Sequence, residues 1–136
     1  HFIFLTEKLF GSAALVESSV TYPDDNISCE THFSARLDCS GIPVSLTGTS
    51  LGVGPDIVEF VIWGSERSIK LDNWAEVSIA SGGGWVVQEI YGPDPRRENN
   101  TRFFGDLAAL LTGRPSSVAS FADALSVQRI VEAVLE

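Results

Sequence analysis

Over the first ten residues the apolar positions recur at helical spacing. Phe2, Leu5 and Leu9 fall three and four apart, and Gly11 stands where a left-handed residue ends a helix. This predicts a short helix over residues 2–10. From about residue 13 to residue 92 the period becomes two. Phe33, Ala35, Leu37 and Cys39 alternate with His32, Ser34, Arg36 and Asp38, and Val44 and Leu46 alternate with Ser45 and Thr47. Further strands are predicted at 57–63, 68–71, 74–79 and 85–91. Gly and Pro punctuate them at Gly41, Pro43, Gly52, Gly54, Pro55, Gly64, Gly82 to Gly84, Gly92 and Pro93. The last forty or so residues return to helical periodicity. Phe104, Leu107, Leu110 and Leu111 form one stripe, with Asn100 or Thr101 as the expected cap and Gly113 then Pro115 as the stop. Ser120 and Asp123 then frame a capping box ahead of an apolar face made of Phe121, Leu125, Val127, Ile130, Val131, Val134 and Leu135.

Helix, five or six strands, then two helices is an α+β order: an open, largely antiparallel β-sheet with helices on one face. Residues 57–63 are apolar on both sides except at Glu59. A strand of that kind is expected to be buried on both faces. With helices for only one face, the other is available for oligomerisation.

Composition narrows the partners. Net charge is −9, from 18 acids against 9 bases, and the only adjacent basic pair, Arg96 and Arg97, runs straight into Glu98. Nucleic acid and anionic membrane surfaces need clustered cations, so neither is expected as a partner. No apolar run approaches the length of a membrane span. Cys29 and Cys39 lack the companions of a zinc site and are read as two reduced thiols, which points to the cytoplasm. The triplets at Asn26 and Asn99 are taken as chance matches to a glycosylation signal.

Local motifs carry little chemistry. Gly52 and Gly54 follow a strand, but Pro55 and Asp56 lead into another strand, so no helix N-terminus is offered to a phosphate and a hairpin loop is expected. The glycines at 82–84 read as a hairpin turn. His32 falls on the polar side of its strand near Glu30, a solvent-facing position, with an unrelated His32–Glu30 enzyme as the distant alternative.

Longer stretches say more. GRPSSVASFADALSVQRIVEAVL (residues 113–135) resembles the end of the Gfo/Idh/MocA oxidoreductases, with a Gly-x-Pro turn, a Ser/Ala-rich approach and an ALxVQxxxEA helix. VEFVIWG (58–64) followed by SIKLDNW (68–74) is similar to that family's strand–Gly–strand segment. HFIFLTEKLFG (1–11) is similar to the His-to-Gly helix after its Asp-x-Gly-x-His motif, with Phe4 where members often carry Asp. The resemblance spans residues 1–136 and implies a single C-terminal domain for substrate contact and oligomerisation. It also implies a Rossmann domain holding NAD or NADP, and a catalytic Lys and Asp, all outside this chain. His1 is the one catalytic residue that maps here. The implied activity is NAD(P)-dependent oxidation of a sugar, polyol or related hydroxy compound by a cytoplasmic homo-oligomer, with this chain by itself inactive and binding no cofactor or metal. A non-catalytic binding or assembly module of the same fold is the alternative.

Overall fold

The strongest alternation in the sequence lies at residues 32–39, and it forms the middle of the better-packed sheet. This computed structural model describes every residue except Asn26, Tyr91 and Pro93, with side chains also omitted at Pro95 and Arg96. The first glycosylation-like triplet, the end of the strand expected at 85–91 and one flanking proline therefore touch residues outside those described. Three helices, α1 (Phe2–Phe10), α2 (Pro95–Leu111) and α3 (Phe121–Leu135), accompany seven strands. These are β1 (Ala13–Thr21), β2 (His32–Cys39), β3 (Ile42–Thr49), β4 (Glu59–Ile62), β5 (Ser68–Asp72), β6 (Glu76–Ala80) and β7 (Val86–Val87). The fold is α+β and antiparallel throughout, with open sheets, as the periodicities imply. The strands form two sheets, ordered β1-β2-β3 and β4-β5-β6-β7. The chain accordingly divides into two units, His1–Gly54 with Ala119–Glu136, and Pro55–Val118.

In the first unit, Ala35, Leu37 and Cys39 of β2 pack with Ile130 and Val134 of α3 as the fully buried core. Ile3 and Phe10 of α1, with Ala13, Leu15, Val20, Phe33, Val44 and Leu46, pack around it. A bulge between Leu15 and Glu17 shifts the register of β1, so that Ala13 and Leu15 before it and Val20 beyond it all serve the core. Both helices lie on this one face. The opposite face is polar, its rows running Thr21–His32–Thr49, Ser19–Ser34–Thr47 and Glu17–Arg36–Ser45. Gly11 closes α1 at φ 95°, and a Cβ there would come within 2.6 Å of Ser40 Oγ, so both the backbone and the space call for glycine.

α3 starts where its capping box predicts. Ser120 Oγ accepts from Asp123 N at 3.2 Å, and Asp123 Oδ2 accepts from Ser120 N at 2.7 Å. Three further contacts tie α3 to the earlier part of its unit: Lys8 Nζ to Asp123 Oδ1 at 2.9 Å, Ser126 Oγ to Glu7 Oε1 at 2.9 Å, and Tyr22 Oη to the Leu135 carbonyl at 3.1 Å.

Between residues 52 and 111 the structure departs from expectation in three places. The segment at 57–63 yields only the four-residue β4, which is a sheet edge; Ile57 and Trp63 lie outside it, 84% and 77% exposed. Burial on both faces is therefore not what its apolar run produces. Gly52 and Gly54 connect strands of different sheets and do not turn a hairpin, although they also open no helix. α2 begins at Pro95, not near Thr101, because Asp94 caps it by accepting from Arg97 N at 3.1 Å and proline suits the first helical position.

Candidate functional site

His1 is the N-cap of α1, where its carbonyl accepts from Leu5 N at 3.0 Å; its side chain is exposed. Along α1 the next ionisable groups are Glu7 and Lys8, and both serve packing. Glu7 Oε1 accepts from Ala13 N at 3.2 Å as well as from Ser126, and Lys8 sits 5.3 Å from the Phe4 ring centre while bonding Asp123. His32 does not join His1. It projects from the polar face of β2, between Thr21 and Thr49, whereas α1 lies on the other face. Glu30 precedes that strand, in a loop.

The two cysteines are both free, Cys29 exposed and Cys39 buried in the core. Burial pushes the Cys39 thiol up, and the nearby negative charges of Asp38 and Glu7 push the same way. Such a thiol is protonated and unreactive near neutral pH. No group of three or more His, Cys, Asp or Glu among the described residues is placed to hold a metal ion.

A charged and aromatic cluster in the second unit was not picked out from the sequence. Register sets Glu59, Asp72 and Glu76 in one cross-strand row and Val61, Lys70 and Ser78 in the next. Lys70 Nζ bonds Asp72 Oδ2 at 2.8 Å and lies 3.9 Å from Glu59 Oε2. The Asp72 hydrogen bond raises the lysine above its ordinary value, with Asp72, Glu59 and Glu76 charges adding to the effect. The ammonium also lies 5.4 Å from the Trp85 ring centre, and Trp85 meets Trp63 at 5.7 Å with planes tilted by 58°. Lysine held charged in this way cannot serve as a general base at neutral pH. The sequence did contain the signal: Glu59, Val61 and Trp63 share one parity, as do Ser68, Lys70 and Asp72. Only the β4–β5 register brings the two sets together.

The glycines at 52–54 and 82–84 are followed in the chain by the strands β4 and β7, so neither run opens a helix N-terminus of the kind that holds a pyrophosphate.

An α+β domain with open antiparallel sheets and helices on one face of the β1–β3 sheet defines the class. Its fold is also found in two solved oxidoreductase structures. The dehydrogenase MviM from Clostridium difficile superposes with a TM-score of 0.73 at 12% identity, over 97% of this chain and 44% of that one. The protein yvaA from Bacillus subtilis, described as an oxidoreductase, gives 0.62 at 17% identity, over 98% of this chain and 47% of that one. At such identities the likeness shows the fold alone, and this chain spans less than half the length of either structure. No protein-family model and no curated protein sequence matches the chain.

Proposed function

We propose that residues 1–136 are the C-terminal, substrate-side and oligomerisation domain of an NAD(P)-dependent oxidoreductase acting on a sugar, polyol or related hydroxy compound. The observation that carries this reading is the fold match to a dehydrogenase over nearly the whole of this chain but only 44% of the other. The resemblance of residues 113–135 to the Gfo/Idh/MocA terminus supports it independently. Nicotinamide binding belongs to a Rossmann domain outside this chain. His1 is the catalytic residue on this side, removing the hydroxyl proton as hydride leaves the same carbon, a task imidazole suits near neutral pH. The protein works in the cytoplasm.

Association with a second copy is part of the proposal. The sheet β4-β5-β6-β7 carries the rows Phe60–Leu71–Val77 and Ile62–Ile69–Ile79–Val86 on one face, with Ile69 and Val86 substantially exposed. That face is apolar where the outer face of β1-β2-β3 is polar, so it is the one suited to pairing. This same apolar face favours the second reading, a non-catalytic assembly module of the same fold.

The deciding experiment is to read the coding sequence upstream of His1 and assay the longer protein. An in-frame Gly-x-Gly-x-x-Gly/Ala with a Glu-Lys-Pro motif, and NAD(P)+ reduction by a polyol that His1→Asn abolishes, is the expected result. A native start codon beside His1 favours the assembly module. Micromolar NAD(P)H binding by the 136-residue chain itself overturns the division of labour. A monomer by light scattering at high concentration overturns the pairing.

A further inference from the structure

The two units divide the chain unequally in one respect: core. Among the described residues the five buried apolar ones, Ala35, Leu37, Cys39, Ile130 and Val134, all belong to the unit His1–Gly54 with Ala119–Glu136. Among the described residues of Pro55–Val118 the single buried side chain is that of Ser78. Many large apolar residues of this second unit stay in water instead, including Trp63, Val86, Phe103, Phe104 and Leu111. Its strands are four, five, five and two residues long.

The second unit is also an insertion, because the chain leaves the first unit once at Gly54 and returns once at Ala119. The contacts that close the first unit join its two chain segments directly: Glu7 with Ser126, Lys8 with Asp123, and Tyr22 with Leu135. None of these contacts uses a residue of the insertion.

We infer that the insertion Pro55–Val118 opens as a unit of its own, at lower free energy than the frame that carries it. A small sheet whose described apolar residues are at best half-buried has less to oppose chain entropy, whereas the frame keeps its core and its closing contacts when the insertion melts. The insertion is thus a conformationally labile body on a stable frame, and any ligand or partner that covers its apolar residues stabilises it selectively by mass action. This inference does not rest on the oxidoreductase reading.

The chain contains its own reporters. All three tryptophans, Trp63, Trp74 and Trp85, lie in the insertion, and the buried thiol of Cys39 lies in the frame. In a Cys29→Ser variant at low micromolar concentration, urea unfolding is followed by tryptophan fluorescence and, in parallel, by thiol labelling of Cys39. The fluorescence transition is expected first, separated from the loss of Cys39 protection by about 1 M urea, the order of separation that m-values of small units allow. Since Trp63 is already exposed, hydrogen–deuterium exchange of the unmodified chain gives a second reading. Amides of β5 and β6 should exchange at least about tenfold faster than those of β2 and α3. Coincident transitions together with equal protection in the two units overturn the inference.

Discussion

Leu37→Ala tests the account of the frame most directly. Leu37 is 1% exposed in the central strand of its sheet, flanked in register by Leu15 and Val44 and grouped in one core with Ile130 and Val134. Truncation removes three carbons from a site walled on two sides by strands and on a third by a helix. Collapse into the void is therefore limited, and most of the cavity cost is retained. Buried Leu→Ala changes cost about 3–5 kcal/mol, and this enclosure places the loss near 3–4 kcal/mol. Against a total of about 5–15 kcal/mol for a domain, that is a large share. With an m-value of about 1–3 kcal/mol per M for urea, the frame's midpoint should fall by about 2 M. Cys39 labelling during a urea titration measures it, since Cys39 belongs to the same core cluster. Ile69→Ala, at a position 41% exposed in the insertion, provides the contrast and should cost about 1 kcal/mol. A loss below about 1 kcal/mol for Leu37→Ala refutes the assignment of the core to the β2–α3 contact.

Three further outcomes are expected. Thr6 is 1% exposed and its Oγ1 has no hydrogen-bond partner among the described residues, so Thr6→Val should leave stability unchanged or raise it by about 1 kcal/mol in chemical denaturation. In acid, two carboxylates matter. Hydrogen bonds from Ser28 and Ile27 hold Asp25 down to about 2, and Ser120 with Lys8 holds Asp123 far below its ordinary 3.8. Each binds its proton more weakly folded than unfolded, so the stability it lends is complete above about pH 4 and drains as pH falls through the folded values. Urea midpoints measured between neutral pH and pH 2 should show this decline. Ser120→Ala should lower the neutral midpoint by about 1 kcal/mol in equivalent stability and flatten the acid limb.

Local signals made some elements legible in advance. The Ser120–Asp123 capping box, the Gly11 stop and the alternation through β2 each rest on contacts within a few residues, and each appears where the pattern puts it. The Asp94–Pro95 helix start is equally local, but the apolar stripe from Phe104 points to a cap at Asn100 or Thr101 and leaves the polar first turns of the helix unmarked. What escaped was non-local. Seven strands in sequence look like one sheet, and nothing in the period-two pattern marks the break between β3 and β4. The apolar run at 57–63 suggested a buried strand because hydropathy does not record whether a partner layer exists to cover it. The cluster around Lys70 depends on cross-strand register, which no single strand contains. His1 carries no sequence signal apart from the family resemblance, and its exposed place at the head of α1 is a position, not yet a catalytic arrangement.

The insertion also sets an order of events during synthesis. β1, β2 and β3 emerge with their apolar face formed by residues 13–49, yet Ile130 and Val134, which complete that core, follow more than eighty residues later. A nascent chain must therefore hold a sheet that only α1 can cover while the whole of Pro55–Val118 is made. Such a wait is an opening for aggregation and for chaperone capture, and it makes α3 the step that commits the frame to its folded state.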